Sequence, residues 1–208
     1  MSKATTLSTI RHARTDFNAQ RRYSGTIDVS LNESGIEEAR QAAARIRHIP
    51  LDVVISSPLK RSVETARIFA ADKLPIVIND RCTERNFGVL EGLTWEEVRR
   101  VQPPLLLIQV GYDLHTVNPK GGESFEEVWQ RAQEFRSFIF DNHAGSDVLV
   151  VSHGVFLQLF NGLLRGLNCI ESLAFFPGNL ELTQFRFEGE RLVSDTVTRL
   201  GPEEIVSW

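Results

Sequence analysis

Cysteine is almost missing from this chain. Of 208 residues only Cys82 and Cys169 carry a thiol, too few for a disulfide framework and in keeping with a reducing cytoplasm. Neither has an arginine six positions on, where Gly88 and Phe175 stand, so a cysteine-based phosphatase loop is not expected. Gly-Lys-Ser/Thr is absent, and with it a Walker A loop. No histidine pair has zincin spacing, and no metal site is expected. No apolar run approaches a membrane span, and the opening Met1-Ser-Lys-Ala-Thr-Thr6 lacks the apolar centre of a signal peptide. Neither sign of charge dominates: 23 basic and 27 acidic residues are mixed along the sequence, net −4, with no footprint for nucleic acid or a membrane surface. These absences point to a cytoplasmic protein with a small-molecule partner.

What is present suits one domain, residues 1–208, since a chain of this length and 42% apolar content can bury a full core. Segments 5–10, 52–56, 74–79 and 147–151 read as strands, and 180–187 with 191–198 as a hairpin around Glu188-Gly189-Glu190. Residues 33–47 read as a helix with Ile36, Ala39, Ala43 and Ile46 on one stripe. Ser57-Pro58 reads as a cap with proline at the first helical position, opening a helix whose stripe is Leu59, Val63, Ala66 and Ala70. Arg61 falls off that stripe. Ser124-Phe-Glu-Glu127 is a capping box for a helix turning Phe125, Val128, Ala132, Phe135 and Ile139 inward. Between 85 and 122 the pattern weakens at Pro103-Pro104, Gly111 and Pro119-Lys-Gly-Gly122, and only 94–101 looks helical. This stretch is the expected lid or insert. The order predicts an α/β three-layer sandwich, with a mixed, mostly parallel central sheet and helices on both faces.

Two histidines follow strands, and ligands in open α/β sheets bind at the carboxyl ends of strands. His12 closes the first apolar run behind Arg11, and His153 closes 147–151 ahead of Gly154. A neutral imidazole can displace the alcohol of a phosphate monoester, with arginines holding the phosphoryl oxygens. Arg11, Arg61 and His153 could supply the fixed cations and donors that a phosphoryl group needs without metal or other cofactor. Thr15 and Asn18 carry suitable donors just after the histidine. Glu84 is the candidate general acid, with Glu91 and Glu123 as competitors. His48, His115 and His143 receive no role.

The same residues resemble the histidine phosphatase superfamily, which includes phosphoglycerate mutase-like enzymes. Arg11-His12-Ala13-Arg14-Thr15-Asp16-Phe17-Asn18 is similar to its opening motif, and Tyr23-Ser24-Gly25 through Gly35 to the segment that follows. Ser56-Ser57-Pro58-Leu59-Lys60-Arg61, Glu84-Arg85-Asn86-Phe87-Gly88, Gly121-Gly122-Glu123-Ser124 and Val151-Ser152-His153-Gly154 complete the set in order. The resemblance implies that His12 is phosphorylated, that Glu84 is acid and then base, and that Arg11, Arg61 and His153 bind the phosphoryl group. It also places Asn18, Ser24, Gly25 and Gly154 near the substrate. Ala13 departs from the motif, which has glycine there, and Arg14 adds an unusual cation that with Arg21 and Arg22 suits a highly anionic or second phosphate group.

The expected function is a metal-independent hydrolase, a histidine acid phosphatase or phosphoglycerate mutase-like phosphatase, hydrolysing small phosphorylated metabolites through a phosphohistidine. Two alternatives stand beside it: phosphoglycerate mutase-type phosphoryl transfer, and a non-catalytic phosphate-binding relative, which Ala13 keeps open. The apolar tetrad Leu105-Leu106-Leu107-Ile108 is read either as a cover for the site or as a homodimer contact.

Overall fold

A computed structural model describes residues 3–71, 73–101, 104–110 and 113–202. Its centre is a six-stranded sheet in the order β3-β2-β6-β1-β7-β8. The strands are β1 (Thr5–Arg11), β2 (Val53–Ser56), β3 (Ile76–Ile78), β6 (Asp147–Ser152), β7 (Glu181–Glu188) and β8 (Arg191–Arg199). β1, β2, β3 and β6 run parallel, and the closing hairpin β7–β8 is antiparallel. The first and sixth strands pair directly, in register from Thr6 opposite Asp147 to Arg11 opposite Ser152.

Alternation along the buried strands sorts side chains into two cores. Val53, Ile55, Val148 and Val150 face one helix layer, and Val54, Leu149 and Val151 face the other. The first layer holds α5 (Phe125–His143) and α6 (Gly154–Leu164); the second holds α2 (Glu33–Ile46) and α3 (Lys60–Ala70). Short helices α1 (Asp16–Ala19), α4 (Trp95–Val98) and α7 (Cys169–Ser172) complete the set. This is the α/β sandwich that the element order implies. The capping box at Ser124 forms, and the five expected side chains of α5 are all buried. Burying each of its larger ones contributes roughly 1.5–3 kcal/mol as an upper figure. Among the described residues no helix is long and apolar enough to cross a membrane.

Three local readings change. Helix α3 begins at Lys60, not at Pro58, and its cap residue is Leu59 without a side-chain bond. Asp28 Oδ1 accepts the Lys60 N–H at 2.7 Å instead, while the Ser57 hydroxyl is drawn to His153. Of the expected stripe Leu59, Ala66 and Ala70 are buried and Val63 is half-buried, and the buried face widens to take in Arg61, Ser62, Thr65 and Phe69. Arg61 therefore points inward, because main-chain acceptors wait for it there. The insert is also less irregular than its composition suggests. β4 (Leu107–Val110) and β5 (Asp113–Thr116) form an antiparallel hairpin; Pro103 and Gly111 lie outside the described residues. Leu105 and Ile108 pack against the core, whereas Leu106 and Leu107 face solvent. The helix expected over 94–101 is one turn, Trp95–Val98, capped reciprocally by Thr94 and Glu97.

Candidate active site

The carboxyl ends of three neighbouring strands, β2, β6 and β1, meet at one edge of the sheet. They deliver Ser57, His153 and His12 side by side, because each lies at or next to the last residue of its strand. The pairing continues past β1, with the His12 N–H donating to Ser152 O at 2.9 Å. The two imidazoles stand 5.2 Å apart, centroid to centroid, tilted by 59°. They reach this spot from positions 141 residues apart only because β1 and β6 are adjacent.

Each ring is held by one nitrogen. His12 Nδ1 lies 2.7 Å from the carbonyl of Ala13. A carbonyl only accepts, so Nδ1 carries the proton and Nε2 keeps a lone pair. Burial, then Arg61 and Arg11, hold this histidine well below the ordinary range, so it is neutral at pH 7. His153 is the complement. Its Nε2 lies 2.7 Å from Ser57 Oγ, and that oxygen already receives the Leu59 N–H. We assign the serine proton to Nε2, which leaves the imidazole proton on Nδ1, a buried atom with no partner. Burial and then Arg61 push His153 well below the ordinary range too. One neutral ring thus offers an electron pair and its neighbour an N–H.

Arg61 is wholly buried. Its Nη groups donate to Ile27 O at 2.8 Å and Gly25 O at 2.7 Å, and Nε is left without a partner. Burial lowers its pKa to about 10, so it stays charged at neutral pH. Gly25 is required here: it has φ +48°, and a Cβ would fall 2.0 Å from Glu91 Oε1. Arg11 donates to Pro177 O at 3.0 Å and lies 5.0 Å above the Phe176 ring. Glu84 sits against the start of α6. Its Oε1 accepts from Arg85 N at 2.8 Å and Phe156 N at 3.1 Å, while Oε2 has only Val155 N at 3.3 Å. The looser Oε2 is the atom better able to exchange a proton.

These groups border a cavity of about 490 Å³ whose wall includes His12, Arg11, Arg61 and Glu84, with Asn18, Ser24 and Gly25 beside them. Other residues stand differently from the sequence reading. Thr15 is fully buried and off the wall. Its hydroxyl is consumed in a cap of α1, receiving the Asn18 N–H and donating to Asn18 Oδ1. It shapes the loop and gives no donor to a ligand; Asn18 keeps only its NH2 for one. Gly154 opens α6 behind His153, where a Cβ would come within 2.6 Å of the Phe176 ring. His153 is fully buried and is not itself a wall residue.

Ala13 raises no backbone difficulty, since its φ is not among the positive values of the described residues. Its methyl is fully buried in the core shared by α2 and α3, and its N–H meets Thr65 Oγ1 at 3.1 Å. Two site residues escaped the sequence reading. Ser57 looked like a helix cap, and Asn179, on the wall, donates Nδ2 to His12 O at 2.6 Å while its buried Oδ1 has no partner. Nothing in the spacing around Asn179 marks it; it depends on β7 lying next to β1. Arg85, read only as part of a motif, is buried over the Phe125 ring at 3.9 Å. It donates to Thr116 O, Val117 O and Glu123 O, fastening the hairpin strand β5 to the site.

Comparison with known proteins identifies the family of the chain. Residues 7–199 match the histidine phosphatase superfamily (branch 1). The chain is 31% identical over 187 residues to phosphoglycerate mutase-like protein 4 of Arabidopsis thaliana, covering 88% of this chain and 80% of that one. It is 32% identical over 185 residues to phosphoserine phosphatase 1 of Hydrogenobacter thermophilus, covering 88% and 87%. The solved structure of Bacillus stearothermophilus YhfR superposes with a TM-score of 0.79 at 28% identity, over 91% of this chain and 94% of that one. Against some mycobacterial relatives the chain spans about half of their length, 54%.

Proposed function

The chain belongs to the histidine phosphatase superfamily (branch 1) and is an enzyme of its phosphatase and phosphoglycerate mutase-like kind; we propose that it hydrolyses small phosphomonoesters through a phosphohistidine on His12. The observation that carries this reading is the 2.7 Å bond from His12 Nδ1 to Ala13 O. It fixes the tautomer whose Nε2 lone pair is open to the cavity, beside two arginines.

In the first step Nε2 attacks phosphorus and the bond from phosphorus to the alcohol oxygen breaks. Glu84 Oε2 gives its proton to the leaving alkoxide. Arg11 and the free Nε of Arg61 meet the equatorial oxygens, together with His153 Nδ1–H. Their charge is fixed before the reaction, so none has to reorganise as negative charge shifts. In the second step water attacks the phosphorus, yields a proton to Glu84, and the phosphorus–nitrogen bond breaks. Inorganic phosphate and the alcohol are the products. No step requires a cofactor. Two free cysteines, too few for a disulfide framework, fit the reducing cytoplasm as its place of work.

The test is brief exposure to a labelled phosphoester followed by acid and alkaline quenching. Label that is acid-labile, alkali-stable and lost in His12→Ala supports the intermediate. Folded protein that turns over substrate without such a label would remove it. Stoichiometric phosphate release separates hydrolysis from return of the phosphoryl group to the substrate.

A further inference from the structure

A phosphoryl group fills only one end of a cavity of about 490 Å³, so the identity of the leaving alcohol is written in the rest of the wall. Six arginines line it (Arg11, Arg14, Arg21, Arg22, Arg61 and Arg85), and Glu84 is the one carboxylate among the described wall residues. Most of this positive charge is committed. Arg61 and Arg85 spend theirs on main-chain carbonyls. Arg22 is held by Gln20 Oε1, Gly92 O and, at 3.5 Å, by Glu97. Arg11 reaches Pro177 O.

Arg21 is different. Among the described residues no hydrogen bond or ion pair holds its guanidinium, which lies against the ring of Trp95, 5.8 Å from the centroid. Trp95 is itself on the wall. The main chain aims this arginine: its N–H donates to Asn18 O at 3.0 Å and its carbonyl accepts the Trp95 N–H at 3.0 Å. Between those two bonds Arg21 takes φ +53°, a left-handed conformation that a side-chain-bearing residue seldom adopts. A cation held in an unusual backbone conformation, against an aromatic face, at the edge of an anion-binding cavity, is built for a ligand.

We propose that Arg21, beside Trp95, forms a second anion subsite, so that the substrates are phosphomonoesters whose alcohol carries a further anionic group. The reaction part of this rests on the phosphatase reading above; the binding part does not. An ammonium on the same alcohol finds no carboxylate on the described wall except Glu84, which is held at the phosphoryl end by three N–H groups. Amino-acid phosphates are therefore weaker ligands than their hydroxy-acid counterparts.

Three esters isolate the contribution. 3-Phosphoglycerate and glycerol 3-phosphate differ by a carboxylate against a hydroxymethyl group, and O-phosphoserine keeps the carboxylate but adds an ammonium. Calorimetric titration of His12→Ala, which cannot be phosphorylated, is expected to rank 3-phosphoglycerate tightest, about fivefold to tenfold over glycerol 3-phosphate. The ratio collapses toward one when Arg21→Gln is added, recovers in part with Arg21→Lys, and shrinks with added salt. Equal affinity for the three esters, binding of none included, overturns the subsite, and so does a ratio indifferent to Arg21→Gln. The reaction is judged separately, by turnover of p-nitrophenyl phosphate and labelling of His12 in the unaltered enzyme. Failure there removes the phosphatase reading and leaves the affinity ratio to stand or fall alone.

Discussion

The two ends of the cavity are built on opposite principles. At the floor, His12, His153, Arg61 and Ser57 are buried at strand ends or in the first turn of a helix, each held by a named partner, while His153 Nδ1 and Arg61 Nε stay unpartnered. At the mouth, Arg21 is exposed, and β5 belongs to a separate two-stranded sheet that Arg85 fastens down. The floor holds the groups that the proposed phosphoryl transfer uses. The mouth can vary without disturbing the sheet, so selectivity can change there while chemistry stays fixed.

The sharpest test of that division is at the floor. Replacing His12 with Ala is expected to lower turnover about 10⁵-fold or more while the far-ultraviolet circular dichroism is unchanged. Retention of even a hundredth of wild-type phosphate release would mean that the floor is not where bonds are made. Arg85→Met probes the fastening between the two ends. Losing three hydrogen bonds, one buried and two part-buried, costs about 3 kcal/mol, and amide exchange across 107–110 and 113–116 should quicken more than exchange in β1 or β6. Uniform quickening of all strands would mean that mouth and floor are one cooperative unit. Gly25→Ala touches both ends at once, through Arg61 and Glu91. The left-handed φ alone costs about 1–2 kcal/mol in a residue with a Cβ, and the clash with Glu91 adds to it, lowering the urea midpoint.

Acid should reach the floor first. Both histidines are held neutral below their ordinary range in the folded protein, so above pH ~6.5 neither folded nor unfolded chain binds a proton there. Below it only the unfolded chain does. Stability then falls as pH falls, by up to about 1.4 kcal/mol per pH unit for each ring, until the folded state titrates. Urea midpoints between pH 7.5 and 5.5 would show this slope, and it should flatten when both rings are replaced by Asn. Leu106→Ser, at a residue 68% exposed on the hairpin side, is the smallest: under about 0.5 kcal/mol in stability.

The contrast also explains what could be read in the sequence. Helix α5 was legible because its capping box and apolar spacing are local, and the five side chains of its apolar stripe are all buried. The central sheet was legible because β-branched runs bounded by turns have few other homes. Arg61 was legible as a site cation from its place near the helix start, although its burial on Gly25 O and Ile27 O was not. Ser57 was misread: local rules assign serine before proline to a cap, but His153 claims the hydroxyl. Thr15 was taken for a ligand donor because its cap partner, Asn18, also reads as one. The β4–β5 hairpin was hidden by breakers and a run of leucines whose alternation appears only once the core chooses Leu105 and Ile108.

One detail of the floor reaches beyond it. The carbonyl that sets the nucleophile's proton belongs to Ala13, whose fully buried methyl shares one core cluster with Leu31, Ala39 and Ala42. The reactive nitrogen is in effect geared to the packing of α2 and α3 on the opposite layer. Enlarging Ala39 or Ala42 by a methylene or two would press on that carbonyl before it unfolded anything. Variants there should therefore surface as altered reactivity of His12, and a screen for stability alone would pass them by.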